Sequence, residues 1–261
     1  MAHLRYAITL LACCAVPARL VAQVDQLAAG IHATELNDLS GARVHFAAVL
    51  RAEPHSYEAN WRLALVLIDI AKQTPDRIKS PARDSLYDLA ESYAHRAVAA
   101  MPEGAEGHFA LANAVGRAAL SKSTKERLRR AALVRSEALR TIELEPHHDG
   151  AWHILGRWNA EVMRLPSIER FLAKTLLGAS VFSAASWDEA ERDLRLAVQY
   201  APAKIVHHFD LATILVSRQE WAAAKQQLDV VAALPVVDVS DTSYKRQARE
   251  LMPKVMEKLK K

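Results

Sequence analysis

The chain has 261 residues, 51% of them hydrophobic and 25% charged, with a formal net charge of +4. This composition excludes low-complexity and disordered classes and fits an ordinary globular chain. Basic and acidic residues alternate almost everywhere. The two exceptions, Lys122–Arg130 and Lys254–Lys261, read as solvated helix faces, so the broad basic stripe of a nucleic-acid binder is missing.

Residues 1–22 read as an export signal. Arg5 gives a positive start, and Tyr6–Val16 is an apolar stretch too short to span a bilayer. Cleavage after Ala22 gives a mature start at Gln23. Leu20 suits that cut poorly, and Val16-Pro17-Ala18 is a second candidate. Leu10-Leu11-Ala12-Cys13 is similar to a lipobox, which would anchor the protein to a membrane through Cys13. Both cysteines, Cys13 and Cys14, lie in this segment. No disulfide framework, Cys-ligated zinc or cysteine nucleophile is therefore expected. The expected location is the periplasm, or a membrane surface for the lipidated form.

From residue 23 the pattern is helical. Asp25–Glu35 and Gly41–Arg51 form a first amphipathic pair around the turn-forming Asn37-Asp38-Leu39-Ser40, stopped by Pro54. Glu58–Ala71 and Asp84–Ala100 follow, separated by a loop with Pro75 and Pro81 and stopped by Pro102. Ala105–Leu120 and Lys125–Leu144 come next, with a capping box at Ser123…Glu126, stopped by Pro146. Asp149–Met163 and Trp187–Tyr200 form the fourth pair, with a capping box at Ser186…Glu189, stopped by Pro202. The fifth is Ile205–Ser217 with Glu220–Leu234, stopped by Pro235. Thr242–Leu259 reads as a capping helix that Pro253 should kink or interrupt.

The prolines share one phrase. Twelve residues before Pro54, Pro102, Pro146 and Pro202 stand Ala42, Ala90, Val134 and Ala190. Eight before stand Phe46, Ala94, Ala138 and Leu194, and five before stand Val49, Ala97, Thr141 and Ala197. These spacings place all three on one helix face. A helix pair recurring along a chain is the mark of a solenoid. The units are expected at 23–54, 57–102, 105–146, 149–202 and 205–235, with the cap at 242–259. Successive prolines lie 48, 44, 56 and 33 residues apart, so the middle units carry insertions. The largest is Pro166–Ala185. Its Ile168, Phe171, Leu172 and Leu176 share a face, and a helix over 166–178 could pack on its neighbour, bind a partner or lie on a membrane.

Trp152, Leu155, Gly156 and Pro146 stand where the tetratricopeptide repeat places its Trp, Leu, Gly and Pro. The pairs Leu63/Ala64, Leu111/Ala112 and Leu211/Ala212 repeat the Leu-small element. Units four and five carry a narrower likeness. His153-Ile154-Leu155-Gly156-Arg157-Trp158-Asn159-Ala160-Glu161-Val162 resembles the LGRW-x-x-EV stretch of the regulator of microtubule dynamics family. Glu169-Arg170, Leu172-Ala173-Lys174, Leu177-Gly178, Asp188-Glu189-Ala190, His207-His208 and Ala233-Leu234-Pro235 continue it. Eukaryotic members of that family are helical repeat proteins associated with mitochondria and microtubules. The resemblance implies an all-α, right-handed tetratricopeptide-like solenoid of about five helix pairs plus a C-terminal capping helix, and a binding role. It implies no catalytic residue and carries over no microtubule partner.

In such arrays the first helix of each pair lines the concave face. The repeat register puts Trp61, Phe109, Asn113, Arg117, His153, Arg157 and Phe209 there, a set suited to a peptide or protein segment. Arg117 and Arg157 could hold a carboxylate through two bonds. Each residue also has a structural role open to it: Arg157 can pair with Glu161 four residues on, and Trp61 and Phe109 can fill inter-repeat core. The His147-His148 and His207-His208 pairs invite a metal. Adjacent helical side chains point apart, however, and no HExxH is present, so no metal is expected. GxSxG, GxGxxG and GxxxxGK[ST] are also missing, so no cofactor is expected. The sequence thus describes a non-enzymatic interaction scaffold of unknown protein partner. A lipoprotein with a structural role in an envelope assembly is the alternative.

Overall fold

The computed structural model describes residues 18–75, 78–166 and 182–260. Within them the chain forms α1 (Ala18–Glu35), α2 (Leu39–Ala52), α3 (Tyr57–Lys72), α4 (Pro81–Ala100), α5 (Ala105–Ala118), α6 (Thr124–Leu144), α7 (Asp149–Arg164), α8 (Trp187–Tyr200), α9 (Ile205–Ser217), α10 (Trp221–Ala233) and α11 (Asp241–Lys258). No strand occurs among the described residues. Cys13 and most of the expected insertion helix lie outside them.

Each odd-numbered helix pairs with the next even-numbered one, and each even-numbered helix also packs on the following odd-numbered one. The first helices of successive units touch from α3 through α5, α7 and α9 to α11. This is the two-layer stack of an all-α solenoid, as the proline phrase predicts. The phrase itself supplies the glue. Phe46, Ala94, Ala138 and Leu194 are all 0% exposed, and the small residues Ala42, Ala90 and Ala190 let the paired helices approach closely. From the opposite helices Leu63, Leu111, Leu155 and Leu211 meet them, all buried.

The prolines act locally. The residues before them, Glu53, Met101, Glu145 and Ala201, take φ between −137° and −145° and ψ between 71° and 89°. The proline ring forces this, because it clashes with a helical conformation in the preceding residue. Each of the four still donates its N–H to the helix carbonyl four residues back, so the helix ends without a dangling donor. The proline carbonyl then accepts from a side chain six residues on: Asn60 Nδ2 at 3.0 Å, His108 Nε2 at 2.8 Å, Trp152 Nε1 at 2.8 Å and His208 Nε2 at 2.8 Å. Three different residue types make the same bond. The repeat therefore needs an N–H donor at this place, and a tryptophan is only one way to supply it.

The caps follow the sequence. Asp38 accepts from Gly41 N, Ser123 from Glu126 N and Ser186 from Glu189 N. Asn37 sits at φ 56°, a left-handed position asparagine tolerates. Of the two effects expected at Pro253, interruption does not occur, and α11 runs through it. Pro253 lies on the exposed side of α11, where water can stand in for the donor it lacks.

Candidate interaction surface

The inner layer is best defined at the seam between units four and five. Helical spacing puts Asp149, His153 and Arg157 on one stripe of α7, and His207 and Asp210 on the facing stripe of α9. The two stripes interlock. His153 Nε2–H donates to Asp210 Oδ2 at 2.7 Å, and His207 Nε2–H donates in the other direction to Asp149 Oδ2 at 2.7 Å. The two rings lie against each other with centroids 4.8 Å apart. Arg157 Nη1 reaches Asp210 Oδ2 at 3.3 Å, and Lys204 Nζ reaches Asp149 at 2.7 Å.

Burial sets the electrostatics here. It lowers the His153 pKa to about 4, although the Asp210 carboxylate pulls the other way. Burial also depresses His207, against its bond to Asp149. Both aspartates feel burial pushing them up. Arg157 and the His153 bond outweigh it at Asp210, and the bonds from His207 and Lys204 outweigh it at Asp149, so both stay below the usual carboxylate range. Asp210 in turn raises Arg157. At neutral pH the seam is two ionised aspartates, each shared between one cation and one neutral imidazole.

The seven register residues do not share one environment. His153 and Arg157 join the seam, and Arg157 pairs with Asp210 of the next unit while Glu161 pairs with Arg164. Phe109 lies against the His148 ring with centroids 4.5 Å apart, and a Cβ on Gly150 would come within 2.5 Å of it. It fills the junction of units three and four. Phe209 is 8% exposed under Tyr244 of α11, which covers it. Trp61 packs partly on the first core with the Arg62 guanidinium 4.3 Å from its ring centre. Asn113 and Arg117 stay half-buried on α5, and the Arg117 charge adds to the pull on Asp210. Asp149 and Asp210 were missed in the sequence because nothing local distinguishes an aspartate that pairs more than fifty residues away.

The histidine pairs diverge as helical geometry requires. His207 crosses to Asp149, whereas His208 turns to Pro202 O and Gln227. Among the described residues one trio could offer a metal three ligand atoms, Glu106, Glu145 and His148. It fits a metal poorly. His148 Nδ1 accepts the Ala151 N–H at the start of α7, so Nε2 carries the proton and has no lone pair to give.

The profile of the family Regulator of microtubule dynamics protein 1-3 matches residues 20–257. The chain belongs to this family. No curated protein sequence matches it. Its fold is similar to that of TTC0263, a thermophilic tetratricopeptide protein of Thermus thermophilus. That likeness has a TM-score of 0.60 and 18% identity, covering 88% of this chain and 100% of the other. PilF of Pseudomonas aeruginosa is similar at a TM-score of 0.54 and 14% identity, covering 93% and 92% of the two chains. At these identities the likeness concerns fold alone.

The family stretch around Trp158 now has a physical reading. Leu155 is core. Gly156 lets α7 touch α8, since a Cβ there would lie 2.6 Å from Leu194 Cγ and 3.0 Å from Ala190 O. Arg157 ties unit four forward to unit five. Trp158 ties it back to unit three, donating Nε1–H to Ala131 O at 2.7 Å, with Phe182 stacked on its ring and the Arg135 guanidinium 5.5 Å away. Asn159 donates to the buried Asp193, whose pKa burial raises. The stretch binds one unit to both neighbours. A recess of about 410 Å3 opens beside it on the outer layer, lined by Arg135, Leu139, Asn159, Arg192 and Asp193 among others.

Proposed function

We propose that the protein is a non-enzymatic interaction scaffold that holds a segment of another protein along its inner helices. The observation that carries this is the row of half-buried Trp61, Leu65, Asn113, Arg117 and Arg157 on the stacked first helices of three consecutive units. An indole, a leucine, an amide and two guanidinium groups on rigid, mutually packed helices lose little entropy on binding. The family membership and the tetratricopeptide fold agree with this reading. The protein works outside the cytoplasm, exported through residues 1–22, either free or held by a lipid on Cys13. No described helix is long and apolar enough to cross a membrane.

A photo-cross-linking amino acid at Asn113, introduced in the native host, tests the inner face. The same group at Val44, which is 61% exposed on α2, is the control. A discrete adduct from position 113 alone supports the proposal, and equal or absent adducts refute it. Mass spectrometry of the mature N-terminus separates Gln23 or Arg19 from a lipidated Cys13.

A further inference from the structure

The two ends of the array meet. Asn37, in the α1–α2 turn, donates its Nδ2–H to the Val237 carbonyl between α10 and α11 at 2.7 Å, across 200 residues of sequence. Val239 packs against the core cluster that runs from Ala33 of α1 through Trp158 and Val162 of α7. No helix of unit one packs extensively on α9, α10 or α11. Among the described residues the bond shown between these two ends is a single exposed one.

Its C-terminal side is built to present that carbonyl. Asp241 is 5% exposed, and its Oδ2 accepts both Val237 N at 2.9 Å and Asp238 N at 2.7 Å. Asp238 Oδ1 accepts Ser240 N at 2.8 Å. This stretch of chain is thus rigid at its base, while Val236 and Val237 leave their side chains 56% and 66% exposed. On the other side, the left-handed turn at Asn37 fixes the donor. Both halves are preorganised, but the bond between them is single and faces water.

The inner face has little free volume where its charges cluster. The recess bounded by Arg157, Arg164, Asp210 and Thr213 measures about 30 Å3, enough for one or two water molecules and not for a peptide. We infer that the 235–241 segment is a clasp: it closes the array end to end, and its release from Asn37 opens the inner face to a partner. The gating role rests on the inner-face function proposed above; the clasp itself does not.

Asn37→Gly tests it cleanly. Glycine keeps the left-handed turn without strain and removes only the donor. Nitroxide labels on Val44→Cys and Met256→Cys, both exposed and away from the clasp, report the distance between the ends, with Cys13→Ser and Cys14→Ser in the background. The parent should show one short distance with a minor longer component. Asn37→Gly should raise that component about fivefold, the weight of one net hydrogen bond. Val239→Ala should raise it independently. Identical distance distributions in the parent and both variants overturn the clasp. Partner capture at position 113 is read separately. Capture that rises with opening supports the gate, opening with unchanged capture keeps the clasp and overturns the gate, and an absent adduct at position 113 in both states overturns the inner-face reading alone.

Discussion

Two glycines in inner-layer helices should respond to the same substitution with opposite signs. Gly116 lies in α5 and Gly156 in α7, and alanine is the better helix former by about 1 kcal/mol at either place. What differs is the space around the new methyl. At Gly116 its nearest neighbour is Val134 Cγ2 at 3.6 Å, ordinary van der Waals contact. At Gly156 it would meet Leu194 Cγ at 2.6 Å, Ala190 O at 3.0 Å and Leu194 N at 3.1 Å. Two of these are backbone atoms of α8 and the third is a branched carbon close to it. No rotamer change relieves the clash, so α7 and α8 must part. Overpacking of this kind costs about 1–3 kcal/mol, and it spreads, because α8 carries the core residue Leu194 and the buried Asp193 that bonds Asn159 of α7. Gly116→Ala should therefore stabilise by about 0.5–1 kcal/mol, and Gly156→Ala should destabilise by up to about 2 kcal/mol after the propensity gain. Urea denaturation followed by circular dichroism measures both. In a thermal scan each kcal/mol corresponds to roughly 2–4 °C for a chain of this size. A stabilised Gly156→Ala, or equal shifts at the two sites, would refute the close-approach argument.

The seam makes acid sensitivity a second expectation. His153 falls from 6.5 unfolded to about 4 folded. Between those values the unfolded chain binds the proton and the folded chain does not, so its contribution is full above pH 6.5 and disappears as pH falls toward 4, about 3 kcal/mol in all. His153→Gln, which keeps a donor for Asp210, should flatten the urea midpoint between pH 7 and 4; an unchanged slope would exclude His153 as the source. Arg157→Ala takes one cation away from the buried Asp210, which keeps its bond to His153, and should cost about 1–2 kcal/mol by chemical denaturation, so a loss of binding in this variant must be corrected for stability. Trp158→Phe keeps the ring stacked on Phe182 but removes the donor to Ala131 O, and a drop of about 1 kcal/mol in urea denaturation is expected.

The prolines were the most legible feature, because a proline acts through local sterics. Pro54, Pro102, Pro146 and Pro202 stop their helices where the sequence places the stops, and the small and apolar residues at fixed distances before them are buried as the register requires. The bond from each proline carbonyl was also readable, as an Asn, His or Trp always stands six residues on, but the tetratricopeptide Trp obscured it: the shared property is an N–H donor, not an indole. Pro253 misled for the complementary reason. The sequence records the missing donor, and only exposure decides what losing it costs.

The register names positions on the first helices and leaves open what stands against them. A repeat says which positions look inward at each unit, since that depends on helical period alone. It does not say what the next unit brings to meet them. Phe209 lies under Tyr244, Phe109 fills the junction beside Gly150, and Arg157 reaches an aspartate 53 residues away. The sequence by itself determined the helices, their ends and the order of their stacking, because these follow from propensity, capping and period within a few turns of chain. The tertiary structure alone decided which charges pair across the seam, and that residue 37 meets residue 237. The first depends on how two adjacent units pack and the second on how the packing of every unit adds up along the array, and no local pattern encodes either.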